Sequence, residues 1–236
     1  MWRRAQRRLP KRVSLPSVGI AFFDIDKTIL SVNSGTLWIR RERRLGHLTL
    51  RQAAEAGAWL VGYSLGVLNA DGFVRKAIAQ ARGMSERAMA SKVAEFYVEE
   101  VAHCIRPGAR KAIAKHRAQG DALVLLTSSS HWLAAHVQTQ LGFDEALCNR
   151  LAADAEGVLT GEPVGPICYG EGKLTYARES AARRHVPLVE CTFYTDSFSD
   201  RAVLEAVGTA VAVNPDPRLK RLANQKGWPV VDWGHT

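Results

Sequence analysis

The sequence predicts an α/β protein, a doubly wound parallel sheet with a small helical module inserted after its first strand. Three observations carry that expectation. Short apolar runs, "VGIAFFDI", "DALVLLT", "CTFYTD" and "TAVAVN", alternate with amphipathic helical stretches, and such alternation implies parallel strands covered on both faces. From about residue 35 to 105 strand-like runs give way to apolar residues at three- and four-residue spacing, the period of helices. Three of the apolar runs end in polar residues able to do chemistry. In an open parallel sheet the carboxyl ends of the strands converge on one crevice.

Taken in order, residues 1–16 read as a basic, disordered segment whose end is a linker between Pro10 and Pro16. "VGIAFFDI" is the first buried strand. "QAAEAGAWLVGYSLGVL" and "SERAMASKVAEFYVEEVAHCI" follow as helices, the second with Ser85 as its capping residue. After "RPG" at 106–108, "ARKAIAKHRAQG" reads as an amphipathic helix closed by Gly120. "DALVLLT" is a buried strand, and a helix runs from about Ser130 to Leu141, ended by Gly142. "CNRLAADAEGVLTGEPVGPICY" suits a strand and a hairpin with turn signals at Glu156-Gly157 and Thr160-Gly161. A helix from about Gly172 to His185 leads to "CTFYTD", another precedes "TAVAVN", and "DPRLKRLANQKG" is the last helix. The division that results is an α/β core of residues 17–34 and 106–236, with residues 35–105 as a helical cap.

The chain has 236 residues, 47% of them apolar and 23% charged, enough for a substantial core with an ordinary soluble surface. No apolar run approaches a membrane span. Four cysteines, Cys104, Cys148, Cys168 and Cys191, lie far apart without metal-type spacing, the usage of a reducing compartment. The basic start lacks the apolar segment of a secretory signal, so the expected compartment is the cytoplasm. Net charge is +9, with six positives in the first twelve residues and a second basic run, "RRERRLGHLTLR", at 40–51. These could contact nucleic acid or anionic lipid, but neither run has a recognised nucleic-acid motif or interleaved aromatics. A solvated tail plus one exposed helix face is the preferred reading.

The polar strand ends are Asp24-Ile-Asp26, Thr127-Ser128-Ser129, and Asp196 with Asp200 close behind, while Lys173 opens the helix before that last strand. Singly these are bland: a turn pair, a helix cap, a solvated lysine. Together they gather carboxylates that repel one another unless a divalent cation is bound. With oxygen donors and no His or Cys cluster, Mg²⁺ is the natural ion. A hydroxyl and a lysine opposite it would complete a site for a phosphate dianion.

With these residues in place the chain resembles the haloacid dehalogenase superfamily, and within it the phosphoserine-phosphatase-like branch. "FFDIDKT" is similar to the first motif, "LLTSS" to the second, Lys173 to the third and "YTDSFSD" to the fourth. The resemblance covers nearly all of the chain after residue 17, including the stretch "VGTAVAVNPDPRLKRLANQKGWPV". It implies a Rossmann-like core with a small helical cap that closes over the site. It also implies an Mg²⁺-dependent phosphatase in which Asp24 attacks phosphorus and becomes a transient aspartyl-phosphate. Asp26 would serve as acid to the leaving alkoxide and then as base to water. Mg²⁺ would be held by the Asp24 side chain, the Asp26 carbonyl and Asp196. Thr127, with Ser128 as the adjacent alternative, and Lys173 would bind phosphoryl oxygens. Asp200 would orient Lys173 or a metal-bound water, and Ser199 stands where many phosphoserine phosphatases carry asparagine.

Asp26 favours a phosphatase over a dehalogenase, because an alkoxide needs a proton to leave and a halide does not. Phosphoserine phosphatases read the substrate's ammonium with a glutamate nine residues after the nucleophile. Here that position is Asn33, a neutral amide that pairs far less strongly with an amine. Asn33 and Ser34 therefore read equally as substrate contacts or as a helix cap. Lys27 stands where a small residue is commoner, and is read as an exposed loop residue. His131, nearest the crevice of the seven histidines, is read as surface-exposed. The expected partner is a small phosphorylated metabolite such as phosphoserine, histidinol phosphate or a related amino acid or alcohol phosphate. The alternatives are phosphotransfer to another acceptor, as in mutases, or a non-catalytic protein recruited to anionic surfaces.

Overall fold

The computed structural model describes residues 19–64 and 70–235. The central sheet is built from β1 (Ile20–Phe23), β2 (Ala122–Ser130), β3 (Glu145–Ala153), β4 (Leu159–Val164), β5 (Thr192–Thr195), β6 (Thr209–Val213) and β7 (Val230–Val231). Its order is β4-β3-β2-β1-β5-β6-β7. All neighbours are parallel except β3 and β4, which form an antiparallel hairpin. Strands β2 and β3 step outward from β1 on one side, and β5 to β7 on the other. The order therefore reverses beside β1, and the crevice at a reversal is where open α/β sheets bind ligands.

Each strand serves two cores because side chains alternate along it. Ala21 and Phe23 of β1 face one cluster with Leu123, Leu125, Tyr194 and Val213. Ile20 and Phe22 face the other with Val124, Leu126, Phe193 and Ala212. The first face is covered by α5 (Pro107–Gln119) and α6 (His131–Leu141), through Ile113 and Val137. The second is covered by α7 (Glu171–Arg183), α8 (Arg201–Ala206) and α9 (Pro217–Lys226), through Leu174, Leu204 and Leu219. The helix ends follow local chemistry. Pro107 opens α5 and Gly120, at φ 81°, closes it. The Asp216 carboxylate accepts from Arg218 N and Leu219 N at 2.8 Å to start α9.

Between β1 and α5 lie four α-helices of the described chain, here α1 (Ser34–Arg44), α2 (Leu50–Ser64), α3 (Ala70–Ala79) and α4 (Glu86–Phe96). The chain leaves and re-enters the core by adjacent extended segments, bridged between Leu30 and Ile105. Ser85 caps α4 as expected, accepting from Ala88 N at 3.4 Å. The basic run at 40–51 is only partly an exposed face. Arg41 is 6% exposed, and its guanidinium pairs with Glu99 and Glu100 of the turn after α4.

Several sequence boundaries need correction. The first strand stops at Phe23 and does not reach Ile25, because the chain turns at once after Asp24. Thr160-Gly161 is not a turn: both residues lie inside β4. The hairpin turns at Asp154–Gly157, where Asp154 Oδ1 accepts from Glu156 N and Val158 N. The linker between Pro10 and Pro16 lies outside the described residues. Among the described residues no helix is long and apolar enough to cross a membrane, and the four cysteines are free and buried.

Candidate active site

Asp24 follows β1 directly, with its backbone N–H donated to Tyr194 O of β5 at 3.0 Å. The chain then makes a tight turn. Lys27 sits in the left-handed region at φ 57°, and its N–H reaches Val32 O while Leu30 N–H reaches Ile25 O, both at 2.9 Å. A side chain is strained there, which is a physical reason for small residues to suit the position. The turn drives Thr28 into the interior. Its hydroxyl oxygen accepts from Asp196 N at 3.0 Å and lies 3.4 Å from both Asp24 Oδ2 and Asp196 Oδ1. Asp24 and Asp196, far apart in sequence, thus flank one hydroxyl.

Lys173 enters from the first turn of α7 and is 2% exposed. Its ammonium donates to Asp24 Oδ1 at 2.9 Å and to Asp200 Oδ2 at 2.8 Å. The helix start is fixed by Gly172, where an added Cβ would lie 1.9 Å from Ile167 O. Asp200 is held in turn by the Thr195 hydroxyl at 2.6 Å. Its other oxygen, Oδ1, is buried without a hydrogen-bond partner among the described residues.

The third contribution comes from the end of β2, which runs four residues beyond its apolar stretch. Thr127 is buried, and its Oγ1 accepts from Ser129 N at 3.2 Å. The Ser129 hydroxyl donates to Asp26 Oδ2 at 3.0 Å, and Ser34 N donates to Asp26 Oδ1 at 2.6 Å. Asp26 is therefore held from two sides, by the strand end and by the start of α1.

These groups line one pocket of about 90 Å³, whose walls include Asp24, Asp26, Thr127, Ser128, Lys173 and Asp196, with Ser199 and Asp200 alongside. Burial raises the Asp24 pKa to about 6, opposed by Lys173 and helped by Asp200. Asp196 is raised well above the ordinary carboxylate value by burial and then by Asp24. Burial works against the Lys173 ammonium, yet Asp200 and Asp24 outweigh it and hold the pKa well above normal. Among the described residues no three His, Cys, Asp or Glu side chains form a metal cluster. The donor chemistry nevertheless fits a hard divalent cation: two buried carboxylates, Asp24 and Asp196, beside the one Thr28 hydroxyl.

The family model for haloacid dehalogenase-like hydrolases matches residues 21–205, a span holding every group just described. The chain belongs to that family. This hydrolase is 35% identical over 218 residues to the phosphoserine phosphatase SerB1 of Mycobacterium tuberculosis (strain ATCC 25618 / H37Rv), covering 90% of the chain and 70% of the relative. It is 29% identical over 221 residues to the histidinol-phosphatase of Neisseria meningitidis serogroup C (strain 8013), covering 91% and 98%. A solved structure of a protein of unknown function from Bordetella pertussis Tohama I superposes with a TM-score of 0.82 at 25% identity, covering 91% of this chain and 98% of that one. The expected place in the phosphoserine-phosphatase-like branch is borne out by these relatives.

Of the residues singled out by sequence, Asp24, Asp26, Thr127, Ser128, Lys173, Asp196, Ser199 and Asp200 share the pocket, and Asn33 lies on its wall. Asn33 caps α1, its Oδ1 accepting from Thr36 N at 2.9 Å. Ser34 contributes its backbone N–H to Asp26, not a hydroxyl. Lys27 is exposed, as read, although its charge still acts on Asp196. His131 is half-buried and not surface-exposed: its ring lies 4.1 Å from that of Trp132, and burial pushes its pKa down. Sequence reasoning missed Thr28, Thr195 and Ser129 as partners of the acids. The signal for Thr28 and Thr195 was a hydroxyl beside each acidic motif, and for Ser129 its place in the run of hydroxyls that ends β2.

Proposed function

We propose that this hydrolase is an Mg²⁺-dependent phosphatase that cleaves a small-metabolite phosphomonoester through an aspartyl-phosphate on Asp24. The observation that carries the reading is the buried Lys173 ammonium within hydrogen-bond distance of Asp24, in a pocket that also holds Asp26, Asp196 and the β2 hydroxyls. Asp24 forms a bond to phosphorus as the ester P–O bond breaks. Asp26, aimed by Ser34 N and the Ser129 hydroxyl, gives its proton to the departing alkoxide. It then takes one from the water that hydrolyses the acyl phosphate, releasing inorganic phosphate and restoring Asp24.

Lys173 and the hydroxyls of Thr127 or Ser128 stabilise the phosphoryl oxygens, where charge is spread in the transition state. Asp200 holds Lys173 in place. Asp24, Asp196 and the Asp26 carbonyl would hold Mg²⁺, whose positive charge lets an anionic nucleophile approach an anionic ester. The names of the relatives put phosphoserine and histidinol phosphate among the first metabolites to assay.

Hydrolysis of p-nitrophenyl phosphate tests the reading. Activity is expected with Mg²⁺, is abolished by EDTA, and falls on the order of 10³-fold or more in Asp24→Asn. Full activity in that variant would remove Asp24 as nucleophile.

A further inference from the structure

Beside the catalytic pocket lies a larger cavity of about 340 Å³, within the size range of small-molecule sites. The two adjoin, since Asp26, Asn33 and Ser128 line both. The remaining walls are largely apolar and come from the helical insertion and the core alike: Trp38 of α1, Ile78 of α3, Val93 and Phe96 of α4, Trp132 of α6 and Leu151 of β3. Trp38 and Phe96 meet edge to face with ring centroids 5.2 Å apart, an aromatic wall suited to a flat apolar group.

Several polar groups of this cavity are committed elsewhere. Among its described lining residues Asp26 alone is charged, and its two oxygens already accept from Ser34 N and Ser129 Oγ. The Asn149 amide is engaged at both ends, donating to Ser128 O at 2.7 Å and accepting from Cys168 N at 2.8 Å. Ser130 caps α6 through Leu133 N. An ammonium or a carboxylate carried into the apolar part of this space, against Trp38, Ile78, Phe96 and Leu151, would lose water without gaining a partner among the described residues.

We infer that the substrate is a phosphomonoester of an apolar, ring-sized alcohol bearing neither ammonium nor carboxylate, with its phosphoryl group beside Asp24 and its apolar body in this cavity. The inference rests on the phosphatase reading for the position of the phosphoryl group. It sets aside both phosphoserine, which carries both disfavoured charges and no apolar body, and histidinol phosphate, which carries an ammonium.

Isothermal titration calorimetry with phosphonates tests this independently of turnover, because their carbon–phosphorus bond is not hydrolysed. With Mg²⁺ present, phenethylphosphonate is expected to bind about tenfold or more tightly than ethylphosphonate, from burial of the ring. Ethylphosphonate in turn binds more tightly than the phosphonate analogue of phosphoserine. Ala77→Asp, which puts a carboxylate on an exposed position of the cavity wall, should reduce the advantage of phenethylphosphonate. Equal binding by all three, binding by none, tightest binding by the phosphoserine analogue, or an unchanged preference in Ala77→Asp would each overturn the inference. If the predicted binding order held while no phosphate ester was hydrolysed, the phosphatase reading alone would fail.

Discussion

Asp24 and Asp196 are acids whose burial opposes ionisation, and this has a measurable consequence. An acid with a raised folded pKa holds its proton more tightly in the folded chain than in the unfolded one. The cation-free protein therefore loses stability as pH rises from 3.8 through about 6, the interval set by Asp24. A cation needs the ionised form, so the gain in Tm on adding Mg²⁺ should be small at pH 5 and larger at pH 7.5. A gain independent of pH would place the ion away from Asp24. Lys173 gives a second test at this scale. Lys173→Met leaves Asp24 and Asp200 without their shared partner and should cost about 3 kcal/mol in urea unfolding with EDTA. Asp24, Lys173 and Asp196 were legible in the sequence because their order along the chain is informative even where each is bland. Ser129 was not legible. Four consecutive hydroxyl residues, Thr127 to Ser130, follow the apolar part of β2, and the irregular register there decides which of them meets Asp26.

At the scale of elements, the start of α1 and the start of α7 position the chemistry. Asn33→Ala removes the α1 cap and should lower stability by about 1 kcal/mol, read by denaturant unfolding. A change in KM far beyond that loss would add substrate contact to capping. Gly172→Ala should be more damaging than Gly57→Ala, where an added Cβ meets nothing within 4 Å, because only the former drives a Cβ against the Ile167 carbonyl. The expected cost is roughly 1–3 kcal/mol, with kcat reduced as Lys173 is displaced. Helices were legible from their apolar spacing and their Pro and Gly ends. The false turn at Gly161 shows the limit of that approach: a glycine with φ 76° can sit within a strand, here where a Cβ would lie 2.9 Å from the Arg82 side chain. Close approach and turning use the same residue, and the sequence alone does not separate them.

Over the whole molecule, the parallel sheet was legible because its strands are apolar on both faces, which a half-exposed sheet does not permit. Phe22 and Phe23 face opposite cores, so Phe22→Ala and Phe23→Ala should each cost about 3–5 kcal/mol. A small loss in either would mean that one face is poorly packed. The described site runs from Asp24 to Asp216, so removing residues 1–16 should leave p-nitrophenyl phosphate hydrolysis unchanged. What the sequence could not supply was the wall of the larger cavity, because its residues come from α1, α3, α4, α6 and β3 and meet only in the folded chain.

Turnover as proposed depends on Asp24 making a covalent bond to phosphorus. Acid-quenching the enzyme during turnover and mapping its peptides by mass spectrometry reads that bond directly. The result predicted is a phosphoryl group on the peptide holding Asp24, present in wild type and missing in Asp24→Asn. A phosphoryl group on another residue, or an active enzyme with none at any quench time, would contradict it.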